Sequence, residues 1–167
     1  MIVQTRIDGF TIRHAEEKDS ALILWFIKEL SVYEKLENEV VATEEMIRQH
    51  LFGVKPVAEV VIGEDRGKPV GFAIFFHNFS TFVGKPGIYL EDLYVVPDER
   101  GKGFGRCLLS YLARLAVERD CGRFEWAVLD WNEPSLQFYK SLGARFMKEW
   151  IINRVDGKNL HKLAAMF

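Results

Sequence analysis

The stretch YLEDLYVVPDERGKGFGRCLL, Tyr89 to Leu109, constrains the fold of this chain more than any other. Its first half is an apolar strand, with Ile88, Leu90, Leu93, Tyr94, Val95 and Val96 all good strand formers. Its end opens a helix, expected over Cys107 to Arg119, with Leu108, Leu109, Leu112, Leu115 and Ala116 on one face. Between them Gly101, Gly103 and Gly105 stand at alternate positions. A strand running through a glycine loop into a helix demands a sheet with a helix laid against it. One detail resists that reading. Glu91 and Asp92 sit side by side inside the apolar strand. Neighbouring strand residues point to opposite faces unless a bulge intervenes.

The loop RGKGFG has the chemistry of a phosphate cradle. Glycines let the backbone take positive φ and approach a ligand closely. Successive N–H groups can then converge on one concavity. The helix that follows adds unpaired N–H groups and a partial positive charge. Arg100, Lys102 and Arg106 add full charges. A pyrophosphate suits this arrangement. A nucleotide-hydrolysing loop needs Gly-Lys followed by Ser or Thr, but Gly103 is followed by Phe104. A dinucleotide fingerprint belongs in a first strand–helix unit and ends in glycine, where this chain has Arg106.

The rest of the chain supplies a mixed α/β sheet. Gly9 to Ala15 alternates as a strand. Asp19 or Ser20 caps a helix to about Glu37, with Leu22, Ile23, Phe26, Ile27, Leu30 and Tyr33 on its apolar stripe. Thr43 caps a second helix ending near Phe52-Gly53, with Glu44 and Glu45 in its first turn. VAEVVIGED and VGFAIFFHNF form a hairpin about Arg66 to Pro69. Arg123 to Asp130 is a strand, and Asn132 caps a short helix stopped by Gly143. Ala144 to Val155 is expected as a final strand, with VDGKNL a turn near the end. Antiparallel strands come first and an αβα alternation follows, so helices should cover both faces. At 167 residues, one domain is expected.

Charge and cysteine usage exclude several classes. A net charge of −2 argues against a general nucleic-acid binder. Phe72, Phe75, Phe76, Phe79 and Phe82 therefore read as core and sheet face rather than base-stacking platforms. Cys107 and Cys121 form no CxxC pair and share no metal spacing with His14, His50, His77 or His161. No metal site is expected. Cys107 lies just inside a helix start, but no histidine is placed beside it to make a nucleophile. No apolar run approaches the ~20 residues of a membrane span, and no signal-peptide core opens the chain. The expected location is the cytoplasm.

These residues resemble the GNAT superfamily of acyl-CoA N-acyltransferases. The superfamily signature, Arg or Gln followed by xxGxG or xxGxA at a helix start, stands here as Arg100-Gly-Lys-Gly103-Phe-Gly105. YLEDLYV, ERGKGFG, WNEPSLQFYKSLGA and IKELSVYEKLENEV together resemble the diamine (spermidine/spermine) and thialysine N-acetyltransferase branch. The likeness runs from Thr11 to about Trp150. It implies a mostly antiparallel central sheet with a splayed strand pair and acetyl-CoA as cosubstrate. The backbone of Leu93, Tyr94 and Val95 would pair with the pantetheine arm as an added strand does. Arg100, Gly101, Lys102, Gly103, Phe104, Gly105 and Arg106 would hold the pyrophosphate, with Asn132 and Ser135 as further cofactor contacts.

Acetylating an amine sets three demands. The ammonium, with a pKa of about 10, must lose a proton. The thioester carbonyl must be polarised. The leaving thiolate benefits from a proton. The resemblance implies Glu91 as general base, directly or through a water, and Tyr139 as general acid. Asp92 is a candidate for a second cationic group of the substrate. Tyr33 and Glu34 match a substrate-site position, and Glu125 and Trp126 fall where the branch lines the amine site. Around FMKEWIIN the chain departs from the branch pattern by a gap, which weakens Glu149 as another amine contact. The implied reaction moves acetyl to a primary amine of a small cationic molecule in a ternary complex. A protein N-terminus or lysine is the alternative substrate, and a non-catalytic acyl-CoA-binding module the alternative role. The resemblance also implies a homodimer.

Overall fold

The computed structural model describes residues 2–167. Their contacts divide into a first unit ending at Ala127 and a second unit, Val128–Phe167. The first unit holds a sheet of six strands in chain order: β1 (Ile2–Gln4), β2 (Phe10–His14), β3 (Glu59–Asp65), β4 (Lys68–Ser80), β5 (Lys85–Val95) and β6 (Arg123–Trp126). Every neighbouring pair is antiparallel except β5 and β6, which run parallel. The helices of this unit are α1 (Ser20–Glu34), α2 (Glu44–Phe52) and α3 (Phe104–Glu118). The mixed, mostly antiparallel sheet expected from the sequence is therefore present.

Alternation along β4 explains how helices cover both faces. Phe72 and Ile74 join Ile23, Phe26 and Leu30 of α1, Ile47 of α2, Val60 and Tyr94 in one core. Phe26 stacks on Phe72 with ring centroids 5.0 Å apart. Phe75, one step out of phase with Phe72 and Ile74, meets the Arg119 guanidinium at the end of α3. There Leu108, Leu109, Leu112, Leu115 and Ala116 are all buried, as the periodicity requires. Fully burying each large side chain stabilises the fold by about 1.5–3 kcal/mol. Phe79 and Phe82, expected on the sheet face, are instead exposed where the β4–β5 hairpin runs past the start of β3.

Polar contacts fix where α1 begins. Asp19 does not cap it through its own carboxylate. That carboxylate takes both Nη atoms of Arg13, at 2.7 and 2.9 Å, and the Glu16 N–H. Arg13 Nε also reaches Glu64 at 2.8 Å. One guanidinium thus ties β2 to β3 and to the start of α1. Thr43 does cap α2, accepting from the Met46 N–H at 3.2 Å.

The second unit holds α4 (Glu133–Ser141) and α5 (Gly157–Ala164). Asn132 caps α4 by accepting from the Ser135 N–H at 3.3 Å. Two expectations fail here. Residues 144–155 form no strand, and Trp150, Ile151 and Ile152 are exposed. Strand formers make a strand only when a neighbour accepts their backbone groups; among the described residues none pairs with this segment. VDGKNL is not a turn but the start of α5, whose own side chains are all exposed. The strand expected to reach Asp130 also stops at Trp126.

Candidate active site

The paired carboxylates are explained by a bulge in β5. Ile74 pairs with Asp92 and Phe75 with Leu90, so Glu91 has no partner in β4. The extra residue resets the alternation. Leu90 is buried, Glu91 is exposed and Asp92 is half-buried. Both acids therefore escape the apolar core without breaking the strand.

The same region opens the sheet. β6 pairs with β5 only over Gly87 to Leu90, while β5 continues to Val95. Beyond Leu90 no described strand lies on that side of β5. Leu93, Tyr94 and Val95 thus lie along a half-open strand, suited to take an extended ligand as an added neighbour. Val96 N–H donates to Val70 O, so alternation turns Val95 toward the open side. There its carbonyl accepts from Arg100 Nε at 2.8 Å. The Tyr94 side chain is buried against Phe26.

The glycine loop ends this strand. A short 3-10 turn, Pro97–Glu99, leads into it. Gly101 and Gly103 have φ of +80° and +87°, a region other residues enter at a cost of about 1–2 kcal/mol. Gly103 occupies the position just before α3. The helix begins at Phe104, three residues before the expected start, so Gly105 and Arg106 lie in its first turn with backbone N–H groups unpaired within the helix. The Phe104 side chain faces the core and stacks on Phe10 at 4.2 Å, leaving only its backbone to meet a ligand. Lys102 pairs with Glu99, and Arg106 is exposed. Loop, helix start and half-open strand lie in succession, and together they fit a cofactor with a pyrophosphate and an extended arm.

Beside Asp92 lies a cavity of about 180 Å³ lined by Ile27, Leu30, Ser31, Glu34, Leu36, Glu39, Val40 and Asp92. Carboxylates from α1, the 3-10 turn Glu37–Glu39 and β5 share this space, and among the described residues no cationic side chain lines it. Burial first, then the charges of Glu91 and Glu34, pushes the Asp92 carboxyl up from 3.8 to about 7. Burial also raises Glu34. Such a site disfavours its own negative charge and gains from a bound cation.

Not every expected amine contact is brought here. Tyr33 lies next to Glu34 at the end of α1, but its ring meets the Arg100 guanidinium, 4.6 Å from centroid to Cζ. Glu125 accepts from Asn78 Nδ2 at 3.0 Å and pairs with Arg123 at 2.9 Å, which commits its Oε2 within the sheet. Trp126 ends β6, opposite Leu90, with its ring 4.9 Å from Phe124. In the second unit Tyr139 is a buried residue of α4 whose ring meets Phe138 at 5.3 Å. Asn132 and Ser135 form the cap of that helix. Sequence reasoning missed Ser31, Leu36, Glu39 and Val40. The acidic run YEKLENE was the available signal, but a solvated helix end has the same composition.

Comparison with known proteins bears on the family and the fold. The family described as Acetyltransferase (GNAT) matches residues 20–144. A thialysine N-epsilon-acetyltransferase of Sus scrofa is 40% identical over 165 residues, covering 92% of this chain and 96% of that protein. A human spermidine/spermine N(1)-acetyltransferase-like protein 1 is 36% identical over 171 residues, covering 96% of this chain and 24% of the longer relative. Among solved structures, an integron cassette protein from the mobile metagenome of V. cholerae superposes with a TM-score of 0.79 at 27% identity, covering 93% of this chain and 98% of that one. The chain belongs to the GNAT family of acetyltransferases.

Proposed function

We propose that this enzyme moves the acetyl group of acetyl-CoA to a primary amine of a small molecule carrying a second positive charge: a diamine, a polyamine or a thialysine-like amino acid. The observation that carries this reading is the cavity shared by Glu34, Glu39 and Asp92 beside the bulged Glu91. A neutral amine would leave the half-buried Glu34 and Asp92 and the exposed Glu39 uncompensated around one cavity, whereas a substrate with a second ammonium compensates them. A cation against Asp92, whose carboxyl is pushed up to about 7 by burial and then by Glu91 and Glu34, favours its ionised form.

Bound acetyl-CoA supplies the thioester whose carbonyl carbon the amine attacks. The backbone of Leu93, Tyr94 and Val95 holds the pantetheine arm, and the backbone from Arg100 to Arg106 holds the pyrophosphate with the charges of Lys102 and Arg106. Asn132 and Ser135 add cofactor contacts. Glu91 takes the ammonium proton, directly or through a water. Exposure suits it for this, since a proton accepted there can pass on to solvent. Asp92 and Glu34 hold the second cation, and Tyr33, Glu125 and Trp126 flank the substrate outside that cavity's lining. As the carbon–nitrogen bond forms and the carbon–sulfur bond breaks, Tyr139 gives its proton to the departing thiolate, and the second proton shed by the nitrogen restores the phenol. The reading includes a cytoplasmic homodimer.

Thiol release from acetyl-CoA, followed against diamines, polyamines, thialysine, simple monoamines and lysine-bearing peptides, tests the proposal. Turnover of the dicationic small molecules is expected. Turnover confined to peptides would overturn it.

A further inference from the structure

We propose that Arg100 is a positioning residue that ties the cofactor loop to the amine cavity, a role distinct from any charge it offers to phosphate. The inference rests on the reading of the Glu34–Asp92 cavity as the amine site. Arg100 makes contacts in three directions. Its Nε donates to the Val95 carbonyl at 2.8 Å, on the open side of β5. Its Cζ lies 4.6 Å from the Tyr33 ring centroid at the end of α1 and 5.3 Å from that of Tyr94 in β5. Tyr33 precedes Glu34 in the chain, and Tyr94 lies two residues past Asp92. One side chain at the start of the phosphate loop thus touches the elements that carry Glu34 and Asp92, the two half-buried carboxylates of the cavity.

The end of α1 needs such a tie. Lys35 closes the helix in the left-handed region at φ +62°, where a residue with a Cβ is strained. The closing turn is held by Lys35 N–H to Val32 O at 3.1 Å and Leu36 N–H to Ser31 O at 2.8 Å. Glu34 and Leu36, both cavity residues, lie in or beside this turn. If the turn opens, Glu34 loses its place opposite Asp92. A guanidinium over an aromatic face contributes about 0.5–1 kcal/mol at an exposed site, enough to shift a local opening equilibrium severalfold. Lysine cannot substitute, because it has no planar face and no Nε donor in this geometry. That separates a clamp from a phosphate contact, where lysine would serve.

The test compares wild type with Arg100→Ala, Arg100→Lys, Tyr33→Leu and the Arg100→Ala/Tyr33→Leu double variant. Amide hydrogen exchange at Lys35 and Leu36 reads the clamp without turnover, and steady-state kinetics read its effect on the amine. Exchange at these amides should quicken about twofold to fivefold in both Arg100 variants. The amine KM should rise about fivefold in each single variant, and the double variant should show about the same rise rather than the product. Unchanged exchange in Arg100→Ala would overturn the proposal. So would restoration of both exchange and amine KM by Arg100→Lys, or multiplicative effects in the double variant. If the wild type acetylates no small amine, the cavity reading falls, and hydrogen exchange alone still decides whether Arg100 is a clamp.

Discussion

Replacing Asp92 by Asn should stabilise the folded protein while impairing its work, and the stabilisation should depend on pH. Asp92 is pushed from 3.8 to about 7, chiefly by burial and then by Glu91 and Glu34. A raised carboxyl pKa means that the folded state holds the proton more tightly than the unfolded state does. The stability this group contributes is fully present below about pH 4 and is lost as the pH rises through about 7. At about 1.4 kcal/mol per pKa unit, the whole difference is roughly 4 kcal/mol. Relaxation and water at the half-open cavity reduce it, so about 1–3 kcal/mol is expected. Asparagine keeps the shape and carries no charge. Its advantage over wild type should therefore be small at pH 5 and largest at pH 8. Urea unfolding of both proteins at pH 5, 6, 7 and 8 measures this directly. The same substitution should raise the amine KM at least tenfold, because one charge facing the cation is gone. A stability difference that stays constant from pH 5 to 8 would refute the half-buried, proton-holding Asp92.

Other consequences are open to test. Tyr139→Phe should lower kcat by about a hundredfold or more, the usual range for a lost general acid, with the acetyl-CoA KM little changed; unchanged kcat would remove Tyr139 from the chemistry. Gly103→Ala puts a Cβ at φ +87° and should cost about 1–2 kcal/mol of stability while raising the acetyl-CoA KM severalfold, readable by thermal unfolding and kinetics. Arg13→Ala leaves the nearly buried Asp19 without its partner and should destabilise the fold by about 2–4 kcal/mol in urea unfolding.

What was legible in the sequence was what repeats or caps. The α3 stripe read correctly because Leu108, Leu112 and Leu115 all face the sheet at helical spacing. Thr43 and Asn132 read correctly because a capping side chain acts on its own next turn. The helix start after the glycine loop was missed because Gly105 has poor helix propensity, and the burial of Phe104 against Phe10 overrode it. Residues 144–155 look like a strand by composition, but a strand is a property of two segments and one sequence window cannot supply the second. The bulge at Glu91 was only an option in the sequence. It is decided by register against β4, a partner several residues of hairpin away. Likewise, the amine cavity is assembled from α1, a 3-10 turn and β5, so its carboxylates read singly as solvated charges.

The most direct measurement pits a diamine against a monoamine of equal chain length, in wild type and in Glu34→Gln. Glu34 lines the cavity opposite Asp92 and has no catalytic duty of its own, so its loss bears on recognition of the second charge. Wild type should favour the diamine in kcat/KM by about tenfold or more, equivalent to roughly 1.4 kcal/mol, and Glu34→Gln should erase most of that preference. Equal use of the two amines by wild type, or a preference untouched by Glu34→Gln, would contradict an acidic cavity that selects the substrate by its second charge.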